Sequence, residues 1–242
     1  MSEVGDLEAD VRGLVAREPR LQRDKPEVVG QMQRLCRAAA RALPALGVGV
    51  TLISEAGPQV TVAASGEPIE RIEELQFSLG EGPCFEAYRT RRPVLIPDLA
   101  AVAPTRWPGY AMAAHDHGVC AVFALPLQVG AARLGVMDIY RDEAGNLAMQ
   151  ALRRALTFAE VATATMLDGQ FSPESMDNLL HGAVDNRYEV YQAQGMIMVQ
   201  LGVPLADAMV RIRAYAYAHN KRLNEVAADI VADKLVLEPD AP

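Results

Sequence analysis

Three stretches of helical periodicity follow one another toward the C-terminus. Val184, Tyr188, Tyr191, Gly195, Met198 and Val199 recur at three- and four-residue steps, one face of a helix running toward Leu201. Gly202 ends that helix, and Pro204 suits the first turn of the next because its missing N–H has no intrahelical partner there. Leu205, Ala208, Met209, Ile212, Tyr215, Ala216 and His219 line the second apolar face, and Asn220 and Lys221 break the helix. The third stripe is Leu223, Val226, Ala227, Ile230, Val231 and Leu235, with Glu225, Asp229 and Asp233 as a solvated acidic ridge. Short turns between short helices predict a three-helix bundle over 184–237, with 238–242 as a tail.

Upstream the pattern becomes mixed. Pro26 opens a helical segment through Leu43; Gly47 to Ser54 and Gln59 to Ala64 read as strands joined at Gly57-Pro58, a hairpin. Val94 to Ile96, Val119 to Val129 and Arg133 to Tyr140 supply further strands, the last two joined through Gly130. A returning helix starts near Asn146 and reaches Leu167, and the stretch between the strand groups reads as irregular. This order predicts an α+β domain over 25–167. Residues 1–24 carry a stripe of Leu7, Val11, Leu14 and Val15, weakened by Gly13 and ended by Pro19, and read as helical or disordered. Residues 168–183 form a connector in which Ser172 to Ser175 offer a helix start, a joint through which one domain would reposition the other in a dimer.

Composition narrows the class. Half of the 242 residues are hydrophobic, which excludes global disorder and suffices for cores without disulfides. No apolar run approaches the roughly 20 residues that span a bilayer, and the charged N-terminus lacks a signal-peptide pattern, so a cytoplasmic protein without a membrane partner is expected. Cys36, Cys84 and Cys120 form neither a CxxC pair nor an even framework, and reduced buried thiols are the default.

The run Asn186-Arg187, Gln192 to Met198, Ala208, Ile212-Arg213, His219 to Leu223 and Val226-Ala227 resembles the ANTAR domain. That resemblance implies binding of paired hairpins in nascent transcripts, as a homodimer, to prevent terminator formation. It assigns RNA contact to Arg187, Arg213, His219, Asn220, Lys221 and Arg222, with steadying of the connector as the alternative role for Arg187, and helix packing to Ala193, Gly195 and Ala208. Gln194, Tyr217 and Pro204 depart from the family pattern, which has a lysine, a basic residue and a capping serine there. Read by themselves, Arg211, Arg213, Lys221 and Arg222 bracket a turn where they would neutralise phosphates, with Tyr217 facing outward for base stacking and Tyr215 inward. A glycine inside a helix costs about 1 kcal/mol against alanine, so Gly195 suggests a close helix approach. From Ser172 to Pro242 there are six Lys/Arg against ten Asp/Glu, a net of −4, so any RNA site is local.

The block Leu79 to Ala87 (LGEGPCFEA), followed by Arg92-Pro93-Val94, Pro97-Asp98-Leu99, Arg106-Trp107-Pro108, Gly118-Val119, Leu125-Pro126-Leu127 and Leu134-Gly135-Val136, is similar to the GAF domains of actinobacterial regulators. That similarity implies a small-molecule or redox sensor built on a central antiparallel sheet, and it identifies no cofactor. Glu81 and Cys84, near a helix start opened by Pro83, are candidates to line a ligand pocket; a plain turn accounts for the same residues. The helix dipole would lower the Cys84 thiol pKa and favour a redox role, against simple packing as the alternative. Trp107 either caps a core edge or binds a flat ligand. His115, Asp116 and His117 sit in what reads as a polar loop, with no further ligands to complete a metal site. No triad, phosphate loop or spaced carboxylate pair points to an enzyme. The competing readings are a protein-interaction module with little RNA affinity and a thiol-based redox enzyme using Cys84 and Cys120.

Overall fold

The computed structural model describes residues 3–19, 27–53, 59–102, 105–168, 188–219 and 221–237. The chain divides into two units, one essentially up to Asp177 and the other from Asn178 onward. Among the described residues no single helix is long and apolar enough to cross a membrane.

The first unit is built on a five-stranded antiparallel sheet in the order β2-β1-β5-β4-β3, with β1 Gly47–Ile53, β2 Gln59–Ala64, β3 Val94–Ile96, β4 Ala121–Val129 and β5 Ala132–Arg141. The strands stand within two residues of the boundaries their sequence predicts; the 54–58 turn lies outside the described residues. Period-two alternation divides the sheet into two unlike faces. Val48, Val50, Leu52, Phe123, Leu125, Met137 and Ile139 form an entirely apolar face with 1% exposure or less. Helices α2 (Glu27–Ala42) and α7 (Met149–Leu167) cover it with Met32, Leu35, Phe158 and Ala162, and α1 (Glu3–Arg17) packs on both helices. Each large side chain buried there contributes about 1.5–3 kcal/mol. The N-terminal stripe is therefore a helix, anchored by the fully buried Val11.

The other face carries Gly47, Gly49 and Thr51 on β1, Tyr140, Asp138 and Val136 on β5, and Val122, Ala124 and Pro126 on β4, paired in rows across the sheet. The stretch expected to be irregular covers this face with helices: α3 (Glu67–Leu79), α4 (Pro83–Thr90), α5 (Leu99–Val102) and α6 (Pro108–Asp116). Helix α3 was hidden because its buried positions, Ile69, Ile72, Glu73, Gln76 and Phe77, keep helical spacing while two of them are polar. It stops at Gly80, whose φ of 70° is left-handed and suits glycine. His115 and Asp116 finish α6 and His117 caps it, so the expected polar loop is the exposed end of a helix.

The second unit holds three helices, α8 (Tyr188–Leu201), α9 (Leu205–Ala218) and α10 (Leu223–Val231). Their core is Val190, Ala193, Ile197, Ala208, Met209, Ile212, Ala216, Leu223, Val226, Ala227 and Ile230. For α9 and α10 these are largely the predicted stripes. For α8 they are not: Tyr188 and Val199 are 56% and 76% exposed, and the core face is rotated to Val190, Ala193, Gln194 and Ile197. Its polar residues, Glu189, Gln192, Gln194 and Gln200, are spread over more than one face and Gln194 is buried, so periodicity could not select a face. Helix α10 ends four residues before the predicted Leu235, where Asp233 turns left-handed at φ 55° and the N–H groups of Lys234 and Leu235 both donate to the Asp229 carbonyl.

Candidate functional site

Among the described residues two places combine chemistry with organised geometry: the polar face of the five-stranded sheet and the α9–α10 turn of the bundle. On the sheet, α3 inserts two fully buried polar side chains, Glu73 and Gln76. Glu73 accepts from Thr51 Oγ1 at 2.7 Å through Oε2 and from Tyr140 Oη at 2.8 Å through Oε1. The Gln76 amide donates to Asp138 Oδ2 at 3.2 Å and to Tyr140 Oη at 3.1 Å. Gly49 makes this possible, since a Cβ there would stand 2.1 Å from Glu73 Oε1.

Gln76 and, from the turn after α3, Glu81 each position a helix start. Neither α4 nor α6 has a side-chain cap of its own, and both open on proline, Pro83 and Pro108. Gln76 Oε1 accepts the Cys84 N–H at 2.9 Å in the first turn of α4. Glu81 Oε1 accepts the N–H groups of Gly109 and Tyr110 at 2.8 and 2.9 Å in the first turn of α6. Glu81, a candidate ligand residue, thus caps a helix 28 residues downstream in sequence. Its replacement by alanine is expected to cost about 1–2 kcal/mol, the range for a lost helix cap. Urea unfolding monitored by circular dichroism checks this, and Glu81→Gln should recover part of the loss.

Tyr110 is carried by α6 into the interior, where its hydroxyl is fully buried and meets no hydrogen-bond partner of ordinary geometry among the described residues; Asp138 Oδ1 is in the same condition. Side-chain hydrogen bonding by Cys84 and Gln76 lowers the Asp138 pKa, and that by Tyr140 lowers the Tyr110 pKa, but neither offsets burial. Burial, followed by the Glu73 charge, holds the Asp138 carboxyl well above the usual carboxylate range. Burial, then Asp138 and Glu73, raises the Cys84 thiol well above its ordinary value. The expectation of a lowered thiol pKa is therefore reversed: desolvation and two carboxylates outweigh the helix dipole, and the thiol is a poor nucleophile. Cys36, also buried, is likewise raised, and Cys120 is partly exposed and free.

Trp107 is 6% exposed at the start of α6. The Arg106 guanidinium stands 4.5 Å from its ring centroid, and Tyr110 meets it edge-on at 6.5 Å. Arg106 also pairs with Glu86 on α4. Trp107 occupies the core edge between α4 and α6. Among the described residues no cluster of three His, Cys, Asp or Glu could hold a metal.

In the bundle, the α9–α10 turn displays Tyr217, 69% exposed, beside His219, Lys221 and Arg222. The His219 ring stacks on half-buried Tyr215 at 3.9 Å and 18°, and its Nδ1 is 2.9 Å from the Tyr215 carbonyl. A proton on Nδ1 donates to that carbonyl and leaves Nε2 as an outward acceptor. Lys221 Nζ donates to Asp229 Oδ2 at 2.8 Å, and this bond raises the lysine pKa and lowers that of the aspartate. Glu225 Oε2 accepts the Arg222 N–H at 3.2 Å, closing the α10 start. Arg213 is half-buried on α9. Arg187 and Asn220 lie outside the described residues.

Ala193 and Ala208 are fully buried in the bundle core. Gly195 does not mediate a close approach within it: a Cβ there would meet no atom within 4 Å. It lies instead in a shallow hollow with Gln192, Met196, Val199 and Gln200. Gln194, where the resembling family has lysine, is buried and donates to the Leu205 carbonyl at 2.8 Å, tying α8 to the start of α9.

Residues 30–166, more than half of the chain, match the GAF domain. The chain belongs to the GAF-domain family. Residues 179–231 match the ANTAR domain, so a GAF domain precedes an ANTAR-domain match in this chain. The GAF domain of a phosphoenolpyruvate-protein phosphotransferase from Coxiella burnetii has a TM-score of 0.50 at 17% identity, covering 69% of this chain and 94% of that one. The GAF domain of the Acinetobacter phosphoenolpyruvate-protein phosphotransferase has 0.48 at 11%, covering 69% and 95%. Free methionine-R-sulfoxide reductase from Neisseria meningitidis, in complex with its substrate, has 0.47 at 15%, covering 67% and 87%. At 17% identity the Coxiella burnetii domain speaks to the GAF fold alone. No curated protein matches the chain.

Sequence reasoning did not single out Glu73, Gln76, Tyr110, Asp138 or Tyr140. The available signal was the helical spacing of Ile69, Ile72, Glu73, Gln76 and Phe77 and the lone acid Asp138 within an otherwise apolar run from Leu134 to Tyr140.

Proposed function

We propose that this protein is a cytoplasmic, homodimeric transcription antitermination regulator in which the GAF sensor controls binding of the ANTAR bundle to paired hairpins in nascent transcripts. The observation that carries this reading is the ANTAR match together with the exposed grouping of Tyr217, His219, Lys221 and Arg222 at one helix turn. Tyr217 offers a flat apolar face to an unpaired loop base, His219 Nε2 accepts from base edges, and Arg222 meets phosphate. Arg213, on α9, and Arg187 and Asn220, from the sequence, complete the proposed contact set. Lys221 reaches phosphate only by giving up Asp229, so its net gain is small. The acidic balance of this C-terminal region keeps the number of phosphates neutralised low, and each contributes about 0.7 to the slope of log affinity against log salt on single-stranded RNA.

The reading assigns no enzyme chemistry, and the protonated, buried Cys84 gives none of the thiolate that a redox step needs. The ion pair at Lys221 and the hollow of half-buried Met196 and exposed Val199 favour the competing role of a protein-interaction module. Titration of the purified protein against a two-hairpin RNA and a scrambled control, at low and moderate salt, separates the two. Selective binding that falls about tenfold or more in the Arg213→Ala/Arg222→Ala double variant is the expected result. Equal binding to both RNAs, no binding, or indifference to the substitutions would sink the antitermination reading.

A further inference from the structure

At the end of α4 the GAF domain gathers positive charge. Arg89 lies in the last turn of the helix, Arg91 is its C-cap and Arg92 follows, and all three are exposed. Among the described residues none of these three side chains holds a hydrogen bond or an ion pair, whereas elsewhere in this unit Arg37 and Arg41 hold Glu18, Arg71 holds Glu67 and Arg106 holds Glu86. Arg91 has a left-handed φ of 58°, a conformation that glycine takes at lower cost. The surrounding corner is tied together: Gln128 Nε2 donates to the Arg91 carbonyl at 3.3 Å, Gln128 stands opposite Arg133 across β4 and β5, and the Arg133 guanidinium lies 4.7 Å from the ring centroid of Tyr88, the neighbour of Arg89. Neither of the segments that form it, 87–97 and 117–137, contains an Asp or a Glu, in a chain of net charge −8. The negative end of the α4 dipole favours a nearby cation and accounts for one arginine. Three guanidinium groups within four residues repel one another until an anion stands among them.

We propose that this arginine corner of the GAF domain binds the phosphate backbone of RNA, so that the domain takes part in holding the transcript as well as in controlling the bundle. The proposal rests on the reading of the protein as an RNA-binding regulator and adds a second contact surface to it. The C-terminal region carries more carboxylates than cations, and Lys221 is engaged by Asp229, so the bundle neutralises few of the phosphates that two hairpins present. A guanidinium fork meets a phosphate with two parallel N–H bonds, and Arg89, Arg91 and Arg92 offer that fork without giving up a partner among the described residues. Phosphate contacts position a nucleic acid without reading its sequence. The corner therefore adds affinity and salt dependence, and selection between RNAs stays with the turn that holds Tyr217 and His219.

Titration of the full chain against the two-hairpin RNA and its scrambled control over a salt series, with the Arg89→Gln/Arg91→Gly/Arg92→Gln variant alongside, tests this. The triple variant is expected to bind both RNAs about tenfold more weakly with the ratio between them unchanged, and the slope of log affinity against log salt should fall by about 2 for three phosphates released. The three positions are exposed and glycine suits the left-handed one, so the urea midpoint should not fall. Should the triple variant not fold, Arg91→Gly alone carries the test, with a slope lower by about 0.7. Unchanged affinity and slope in a folded variant, while the unsubstituted chain binds the two-hairpin RNA selectively, overturns the proposal and leaves the antitermination reading standing. Unselective RNA binding that the triple variant loses upholds this contact while the antitermination reading falls, and a chain that binds neither RNA overturns both. Poly-glutamate serves as the acidic-protein counterpart: a variant that loses it but keeps its RNA affinity assigns the corner to a protein partner and overturns the proposal.

Discussion

Replacing Gly135 by alanine is expected to cost the sensor domain about 3 kcal/mol or more, and in the extreme to prevent its folding. Gly135 lies on β5 opposite Leu52 of β1 and Leu127 of β4, in the middle of the sheet. A Cβ at this position would stand 2.1 Å from the Thr51 carbonyl oxygen and 3.0 Å from Leu52 Cα. Both are backbone atoms within a ladder, so relief requires prising β1 from β5 and loses the bonds between them. Gly49 differs in kind: its missing Cβ faces the end of the Glu73 side chain, which can swing away at the expense of its bonds to Thr51 and Tyr140. Urea unfolding followed by far-ultraviolet circular dichroism reads the difference, and an unchanged midpoint for Gly135→Ala would contradict the packing of β1 against β5.

Asp138→Asn is expected to gain stability relative to the unsubstituted protein as pH rises. The Asp138 carboxyl is held well above 3.8, first by burial and then by Glu73. Above the ordinary aspartate range the unfolded chain releases this proton while the folded chain keeps it. The folded state then binds more protons, and stability falls with pH until the raised folded value is passed. Asparagine removes that dependence. Each tenfold difference in proton affinity between the two states is worth about 1.4 kcal/mol, so the variant's relative advantage at about pH 8 over about pH 5 should exceed roughly 1 kcal/mol. Unfolding free energies of both proteins across that range decide the matter. Parallel curves would mean that Asp138 is solvated or compensated.

Much of the architecture was legible in the chain. Strands β1 to β5 announce themselves because one face of the sheet is wholly apolar, and the runs around Val48, Phe123 and Ile139 need no partner to be read. Helices α9 and α10 keep a clean division of apolar and polar faces, so their buried residues were also read correctly. Helix α8 shows the limit of the same signal, since a helix whose apolar and polar residues are mixed round its circumference has no preferred face until α9 and α10 select one. Gly195 followed from that choice: it ended on the outer side, where a close approach has no neighbour in the same chain.

The sensor interior was hidden for a different reason. Glu73 and Gln76 occupy core positions of α3 and so broke the pattern that would have revealed the helix, and Tyr110, Asp138 and Tyr140 are far from them in sequence. The chain by itself determined the GAF and ANTAR order, the strand set, two of the three bundle stripes and the basic turn, because each is encoded in local spacing and residue type. Only the tertiary structure decided that Glu81 caps α6, that Cys84 is a buried protonated thiol, and that two carboxylates and an unbonded tyrosine share one interior. Those facts depend on desolvation and on distances between groups brought together by folding, and neither is written in any window of the sequence.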